Sequence, residues 1–496
     1  MSVATAASRA TGFLRTLGLA WALGVSGLGD AYNIANTAPN MLFQLAAGGI
    51  LTSALVPVLT QSADEEERRS AASVLFGAVL AVGVAASVVL ALAAPWVLDA
   101  LTAGGAGRAD RDEVVRVGTT WLRLFAPQVL AYAVSVYAVG VLTARRRLFL
   151  GAFAPILTNL LTLGGVAAFV VSAGRRPQLA GLDPAAVQRL GLATTAGVAA
   201  MAAVQLFGAW RIEPAGLVPR FSIRHPAMRR LTQLAPWIAL YVTANQIGLA
   251  AVVALASSVP GGVSAYQWAF AVMQLPHALI GVSIVTAAFP SIAEAAVHGA
   301  EAVSTVVNDT IRRLIRLVTA AAVALAVLAP LVAVAIVGAS GATLVAGGIT
   351  GFAVSLVPFS LFQLLTRTSY ALRDGKSPAL VNLAVNAANI AAAVVVLAVF
   401  GSPVGRVAGL AVSHAVSYLV GATLLGRRLG REHGLRLELP WAGSARVVGA
   451  LTAAIVAGRV VATIVPTSQA FAGGLAGSGV LVIAALVAAR RLPLRQ

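Results

Sequence analysis

The 496-residue chain is 59% hydrophobic and 10% charged, with a mean hydropathy of +0.89. No polar stretch is long enough to build a soluble domain, so the composition indicates one polytopic membrane protein. The absence of cysteine excludes disulfides, thiolate metal sites and thiol nucleophiles, and the net charge of +18 is better explained by arginine-rich cytoplasmic loops than by nucleic-acid binding.

Apolar runs separated by charged or Gly/Pro-rich breaks predict 14 membrane-spanning helices. If the N-terminus is cytoplasmic, the arginine-rich connections and the C-terminal tail all lie inside, with Arg175 and Arg176 as the only obvious exception. We therefore expect a multi-pass membrane protein with both termini in the cytoplasm. The runs cover 4–24, 28–60, 71–99, 114–142, 149–173, 187–210, 228–256, 264–296, 308–338, 344–371, 377–400, 405–426, 442–464 and 470–489.

A basic segment divides the predicted spans into two halves. Sliding the sequence on itself by 233 residues brings Gly48 onto Gly281 and Pro57 onto Pro290. This shift moves span two onto span eight, so the halves would be parallel repeats, as in many secondary transporters. The predicted organisation is an N-terminal lobe at 1–210, a cytoplasmic linker at 211–230, a C-terminal lobe at 231–430 and two further spans within 431–496.

The second span carries a polar stripe. Its residues alternate in spacing between three and four, which places them on one face of a helix. For Asp30, capping of the helix and a place in a cavity are equally good interpretations. Capping explains none of the others, so the stripe predicts a hydrated path that contacts substrate. The stripe consists of Asp30, Asn33, Thr37, Asn40 and Gln44.

Two arginines interrupt the first apolar span. Arg9 is interpreted as an anchor that reaches the cytoplasmic headgroups. Arg15 lies about 9 Å deeper by helical rise and about 120° round the helix, so the two cannot share one face. Because a charged side chain inside the bilayer needs a partner or water, Arg15 either lines a cavity or pairs with a neighbouring helix. We favour the cavity.

Further polar side chains follow later spans. Gln267 and Gln274 lie seven residues apart in span eight, which puts them on one helix face that we expect to contact substrate. Arg367 in span ten is equally well explained as an anchor or as a substrate contact. His277 is more readily a hydrogen-bonded core residue than a proton carrier. The group Asn382, Asn386 and Asn389 is best explained by helix packing.

Sequence motifs for chemistry are missing. No Walker-type loop, His-rich metal set, Ser/His/Asp arrangement or pair of intramembrane carboxylates occurs, so we expect no cofactor, no metal and no catalysis. The remaining interpretation is a carrier driven by an ion gradient or by the membrane potential.

Several segments together resemble the MurJ (MviN) family of lipid II flippases, and the resemblance covers essentially the whole chain. Where the family often has Arg-Arg, this chain has Phe43 and Gln44, and where the family has an Asp-Arg pair in span eight it has Phe270 and Ala271. The resembling segments are SRATGFLR at 8–15, GDAYNIAN at 29–36, PNML at 39–42, LTSALVPVL at 51–59, QLPHALIGVSIVTAAFP at 274–290 and VPFSLFQLLTRTSYALRD at 357–374.

The resemblance implies the fold of the multidrug/oligosaccharidyl-lipid/polysaccharide exporters: two six-helix lobes around a central cavity, plus two C-terminal helices that form a groove for a lipid tail. It implies as substrate an undecaprenyl-pyrophosphate-linked disaccharide pentapeptide, and Arg9, Arg15 and Asp30 match family positions important for function. Because the family's arginines are missing at these positions, two alternative functions stay open: a flippase for another polyprenyl-linked glycan and a cation-coupled drug exporter. A different class is a non-transporting scaffold that recruits cell-wall synthesis proteins.

Overall fold

A computed structural model describes residues 2–47, 65–222, 224–228 and 236–438, and within these ranges the chain forms helices and no strand. A helix occurs at each of the first twelve predicted spans, which confirms the all-α prediction; the predicted spans 442–464 and 470–489 lie outside the described residues. The helices are α1 (Ser2–Leu23), α2 (Gly27–Ala47), α3 (Glu65–Leu101), α4 (Arg111–Phe125), α5 (Gln128–Ala144), α6 (Leu148–Phe153), α7 (Pro155–Ala173), α8 (Pro184–Trp210), α9 (Pro236–Ala256), α10 (Gly262–Pro276), α11 (Val282–His298), α12 (Ala300–Val337), α13 (Ala342–Ala371), α14 (Lys376–Val399) and α15 (Pro403–His433).

Most of the described helices have the length and apolar composition of membrane-spanning helices. Nine helical segments in the described ranges are long and apolar enough to cross one, and α9 adds a shorter apolar stretch, Leu240–Ala256. Helices α1 and α2 have 22 and 21 residues but are interrupted by the polar side chains singled out above. These two helices are not among the nine.

Prolines divide two of the predicted spans. The span predicted at 114–142 consists of α4 and α5, which meet at Ala126 and Pro127. The span predicted at 149–173 is likewise divided before Pro155, which begins α7. Proline lacks the backbone N–H that would continue the hydrogen-bond ladder, so each helix ends where the ring begins the next.

The chain divides into two compact units, Met1–Ser264 and Ala265–Gln496, called here the first and second unit. Helix α9 and the turn that follows it belong to the first unit. The lobe limits at 210 and 231 that the sequence predicts remain a prediction.

The predicted linker packs against the first unit where it is described. The Tyr137 hydroxyl on α5 lies 3.0 Å from the carbonyl oxygen of Ala72 and 2.9 Å from that of Gly216. Gly77 on α3 has no side chain because a Cβ there would lie 2.3 Å from the carbonyl oxygen of Arg220. The first part of the linker is therefore held in place by α3 and α5.

The core of the first unit joins α2, α4 and α8. Tyr32 packs edge-on against Trp121 and Phe125, with ring centroids 5.3 and 5.5 Å apart. Trp121 donates its indole N–H to the carbonyl oxygen of Val187 at 2.9 Å, and the Tyr32 hydroxyl lies 3.0 Å from the Thr194 hydroxyl. These buried aromatic contacts fix the first half of α2.

Small residues bring α13 close to α15 in the second unit. A Cβ at Gly351 would lie 2.4 Å from the carbonyl oxygen of Ala408, so only glycine permits this approach. Close backbone approach at small residues is the usual way that membrane helices associate, because lipid supplies no hydrophobic driving force between them.

The segment after α15 is fixed to α12. Asn308 donates to the carbonyl oxygen of Arg436 at 2.9 Å and accepts from the N–H of Glu438 at 2.9 Å. Ser304, one turn earlier, accepts from the N–H of Arg436 at 3.0 Å. Two side chains of α12 thus satisfy the backbone of an extended segment.

Arg175 and Arg176, the exception to the predicted charge distribution, bind the end of α1. Each donates from Nε to the carbonyl oxygen of Trp21, at 3.2 and 3.3 Å, and the N–H of Arg176 donates to the carbonyl oxygen of Ala22 at 2.8 Å. The Arg175 guanidinium also lies 4.6 Å from the Trp21 ring centroid. Both arginines therefore satisfy helix-end carbonyls and the negative end of the α1 dipole.

Candidate functional site

The polar stripe of α2 is buried at one end and exposed at the other. Asp30 is fully buried and Asn33 and Thr37 are less than 10% exposed, whereas Asn40 is half-buried and Gln44 is exposed. Thr37 donates to the carbonyl oxygen of Asn33 at 2.7 Å, within its own helix. Only the second half of the stripe is accessible in this conformation.

Asp30 accepts hydrogen bonds at both carboxylate oxygens. Oδ1 accepts from the backbone N–H and the hydroxyl of Ser264, both at 3.0 Å. Oδ2 accepts from the N–H of Gly261 at 2.8 Å and from Nη1 of Arg108 at 3.2 Å. Asp30 is the fourth residue of α2, while the Ser26 hydroxyl accepts from the N–H of Gly29 at 3.4 Å and takes the capping position. In this structure Asp30 is thus neither the cap nor open to a cavity.

Arg108 is the partner that sequence reasoning missed. Its side chain is 8% exposed and binds Asp110 through two bonds, Nε to Oδ1 at 2.9 Å and Nη2 to Oδ2 at 2.6 Å. Nη1 also donates to the carbonyl oxygens of Ser257 at 2.9 Å and Val259 at 3.3 Å. One guanidinium therefore joins α2, the connection before α4 and the turn after α9. Charge-assisted bonds of this kind are the strong ones.

Arg15 has donors that no described residue uses. It is half-buried, and its Nε is buried without a hydrogen bond in the described part of the chain. Its guanidinium interacts electrostatically with the hydroxyls of Tyr32 and Tyr132. Tyr132 on α5 in turn donates to Oδ1 of Asn40 at 3.4 Å and packs against Phe43 with ring centroids 4.5 Å apart. The Arg15 guanidinium, the Tyr132 hydroxyl and the Asn40 amide are thus linked by these interactions.

Helix α1 is positioned by Asn159 on α7. Its Nδ2 donates to the carbonyl oxygen of Ser8 at 3.2 Å and to the hydroxyl of Thr11 at 3.0 Å. A Cβ at Gly12 would lie 3.5 Å from the same Nδ2. Arg9 is exposed on this helix and makes no hydrogen bond or ion pair within the described residues. Its predicted place at a membrane surface remains a prediction.

In the second unit, the predicted contacts occupy two helices. Gln267 and Gln274 are half-buried on α10, and Arg367 is exposed on α13, where it interacts electrostatically with Tyr370. Their contact with substrate remains a prediction. His277 is buried and its Nδ1 lies 3.1 Å from the Ser360 hydroxyl.

One group outside these clusters has the composition of a metal site. The ligand atoms of Asp374, Glu432 and His433 lie within 4.8 Å of one another. Each is already engaged. Asp374 accepts from the N–H of Ser377 at 2.9 Å and lies 3.3 Å from Nε2 of His433. Glu432 accepts from the Ser377 hydroxyl at 2.9 Å and forms an ion pair with Arg428 at 2.8 Å. We interpret the group as an ion-paired joint between α15 and the start of α14.

The chain is similar in sequence to known proteins over most of its length. A family model described as Lipid II flippase MurJ matches residues 19–477. The lipid II flippase MurJ of Burkholderia cenocepacia is 29% identical over 388 residues, which cover 75% of this chain and 72% of that protein. A probable lipid II flippase MurJ of Rhizobium tropici is 27% identical over 395 residues, covering 76% of this chain and 70% of that protein.

Solved structures share the fold. A lipid II flippase MurJ in an inward closed conformation superposes with a TM-score of 0.75 at 16% identity, covering 97% of both chains. A multidrug resistance MATE family transporter in an inward-facing conformation gives a TM-score of 0.68 at 12% identity, covering 84% of this chain and 94% of that chain. At these identities the likeness establishes the fold alone.

Proposed function

Because the chain belongs to the lipid II flippase MurJ family, we propose that it moves an undecaprenyl-pyrophosphate-linked disaccharide pentapeptide from the inner to the outer leaflet by alternating access. The observation that carries the proposal is Arg15, a half-buried arginine whose Nε has no hydrogen-bond partner among the described residues. A buried donor without a partner is costly, and the forked guanidinium matches pyrophosphate oxygens.

The groups around Arg15 suit the rest of a glycan headgroup. Asn40 and Tyr132 lie together at the half of the α2 stripe that is accessible, and Gln44 is exposed beyond them. Amides and hydroxyls can both donate to and accept from sugar hydroxyls and peptide groups. We propose that Asn33 and Thr37 join this surface when α2 is less enclosed, and that Asp30 contacts substrate only after its present partners release it.

The second unit supplies its own proposed contacts. Gln267 and Gln274 present amides on one face of α10, and Arg367 places an exposed cation on α13. An exposed arginine is suited to a lipid phosphate, as is Arg9 on α1. We propose that these side chains bind the headgroup or the adjoining lipid phosphates.

We propose that both termini lie in the cytoplasm. The support is the distribution of arginine, which collects in connections that an even number of spans places on one side, including 145–147 and 427–436. The proposed contact surfaces for cell-wall synthesis proteins are the segments 61–70, 211–230 and 427–436. A chain acting only as a scaffold through these surfaces would not need Arg15.

The test is replacement of the native flippase by this chain in a bacterium depleted of its own, with lipid II measured in the outer leaflet. We expect Arg15→Ala to lose at least tenfold in outward movement, because one charge-assisted hydrogen bond contributes about 1.5 to 3 kcal/mol. Arg116→Ala is the matched control, since Arg116 is exposed and paired with Glu113.

Equal rescue by Arg15→Ala and the unaltered chain would show that Arg15 does not bind the headgroup and would favour the scaffold. If the unaltered chain is made in the membrane and does not rescue, lipid II is not its substrate. The same cells then serve to test other polyprenyl-linked glycans.

A further inference from the structure

Two buried histidines of the second unit lie in one aromatic cluster. His277 follows Pro276 in a π-helical turn, His277–Gly281, and His414 lies on α15; they are 4% and 7% exposed. The ring of Phe359 on α13 packs against both, with its centroid 4.4 Å from that of His277 and 5.4 Å from that of His414. The two imidazoles also interact electrostatically. Two histidines 137 residues apart in sequence (414 minus 277) thus share one aromatic neighbour.

The hydroxyl beside His277 can form a hydrogen bond with either the neutral or the protonated ring. Nδ1 of His277 lies 3.1 Å from the Ser360 hydroxyl, which can donate to a bare nitrogen or accept from a protonated one. The side chain of Gln363, one turn further along α13, interacts with the same imidazole, and its Oε1 is buried without a hydrogen bond among the described residues. A Cβ at Gly281 would lie 2.9 Å from both Nδ1 and the Ser360 oxygen, so glycine leaves room for this pair.

His414 has a nitrogen without a partner. Its Nδ1 is buried and makes no hydrogen bond in the described part of the chain. Aromatic rings surround the imidazole, with centroids at 4.6 Å for Tyr418, 5.4 Å for Phe359, 5.5 Å for Phe352 and 5.8 Å for Phe270. A histidine that only fills a core normally has both nitrogens satisfied. Aromatic rings are suited instead to an imidazolium, whose charge they attract.

No carboxylate pairs with either imidazole within the described ranges. The tyrosines Tyr266 and Tyr418 are the other titratable groups in the cluster. The other charged or titratable side chains on the described helices around the histidine cluster lie outside the cluster. They are Glu294 and His298 on α11, Glu301, Asp309, Arg312, Arg313 and Arg316 on α12, Arg367 and Tyr370 on α13, Lys376 on α14, and Arg406, Arg427, Arg428, Arg431, Glu432 and His433 on α15. Burial disfavours a charged imidazole, and no acid balances a second charge in this cluster, so the two histidines together can hold at most one proton.

We propose that His277 and His414 form a binding site for a single proton, and that this proton is the coupling ion of the transport cycle. The proposal rests on the proposed flippase function. On binding, a hydronium ion of the bulk water gives one proton to an imidazole lone pair and leaves water; on release, a water molecule takes the same proton back. No other atom or electron is transferred.

Protonation could be coupled to helix movement because the aromatic rings around the two histidines belong to different helices. Phe270 belongs to α10, Phe359 to α13 and Tyr418 to α15, so a charge added at the imidazoles acts on three helices at once. The π turn adds a residue to the helical repeat between α10 and α11, and such turns are frequent at functional sites. Protonation would therefore change how these helices pack.

The first experiment measures transport. The full chain is reconstituted in vesicles with labelled lipid II, the membrane potential is clamped at zero, and a pH difference is imposed. With one proton per lipid, the steady-state ratio of outer to inner lipid II should change tenfold per pH unit, and the sign gives the direction of coupling. His414→Phe, which fits the aromatic cluster, and His277→Gln should abolish this response, whereas His298→Gln on the exposed end of α11 should keep it.

The second experiment observes the imidazoles without any substrate. In the ¹⁵N-histidine NMR spectrum of the unaltered protein, the signals of His277 and His414 should titrate together, and each should shift its midpoint when the other is replaced. Signals that stay neutral across the pH range of transport would overturn the proposal, as would flipping that ignores the pH difference. Coupled titration in a protein that does not flip lipid II would keep the proton site and refute the proposed function instead.

Discussion

Replacing Arg108 by alanine should destabilise the first unit more than any surface substitution. The side chain is 8% exposed and binds two carboxylates, and its loss would leave Asp30 buried with no charge of opposite sign. Removing one partner of a buried ion pair costs about 3 to 5 kcal/mol. At about 2 °C per kcal/mol for a unit of this size, the melting temperature should fall by about 6 to 10 °C.

The assay is the loss of monodisperse protein on heating in detergent, followed by gel filtration. Arg116→Ala is the control, because this arginine is 58% exposed and its ion pair with Glu113 spans three residues of one helix, an arrangement that contributes about 0.3 to 0.5 kcal/mol. The double variant Asp30→Asn, Arg108→Ala should lose less stability than the two single variants added together, because the charges are removed as a pair.

An Arg108→Ala protein that melts within about 1 °C of the unaltered chain would refute this reasoning, since that is the range expected of the exposed control. Strict additivity in the double variant would refute the specific claim that Asp30 and Arg108 stabilise one another.

Three further substitutions test contacts of the connecting segments. Tyr137→Phe should cost about 1 to 3 kcal/mol, because two buried carbonyl oxygens lose their hydroxyl partner, and thermal unfolding measures the loss. Gly77→Ala should push the linker off α3, which faster tryptic cleavage after Arg220 would reveal. Asn308→Ala removes two backbone hydrogen bonds and should speed cleavage after Arg436, while cleavage after Arg220 stays unchanged.

The helices of the described region could be predicted because lipid exposure leaves a strong signal in the sequence. Each apolar run had to be long enough to cross a bilayer, and charged or Gly/Pro-rich breaks marked its ends. The divisions at Pro127 and Pro155 were not predicted, since proline is also tolerated inside membrane helices, as Pro95 and Pro330 are in α3 and α12.

The partners of the polar side chains were harder to predict. The spacing of the α2 stripe gave a common helix face but said nothing of what packs on it, and Arg108 lies 78 residues from Asp30 among other charges. His277 is buried beside the Ser360 hydroxyl, as its interpretation as a hydrogen-bonded core residue predicts, but the sequence did not indicate which rings surround it. Its neighbour His414 is far away in sequence, and only the packing of α13 and α15 brings the rings together.

The two arginines that bind the end of α1 bear on how a membrane inserts this chain. A charge already held by helix-end carbonyls and an indole ring is partly neutralised, so it is a weaker orientation signal than a solvated one. These contacts join the first helix to a segment that is synthesised some 150 residues later. Until then, the carbonyl oxygens at the end of α1 do not have these arginines as hydrogen-bond donors. We therefore expect orientation of this protein to depend on its other arginines, and the end of α1 to gain these contacts only after residues 175 and 176 have been synthesised.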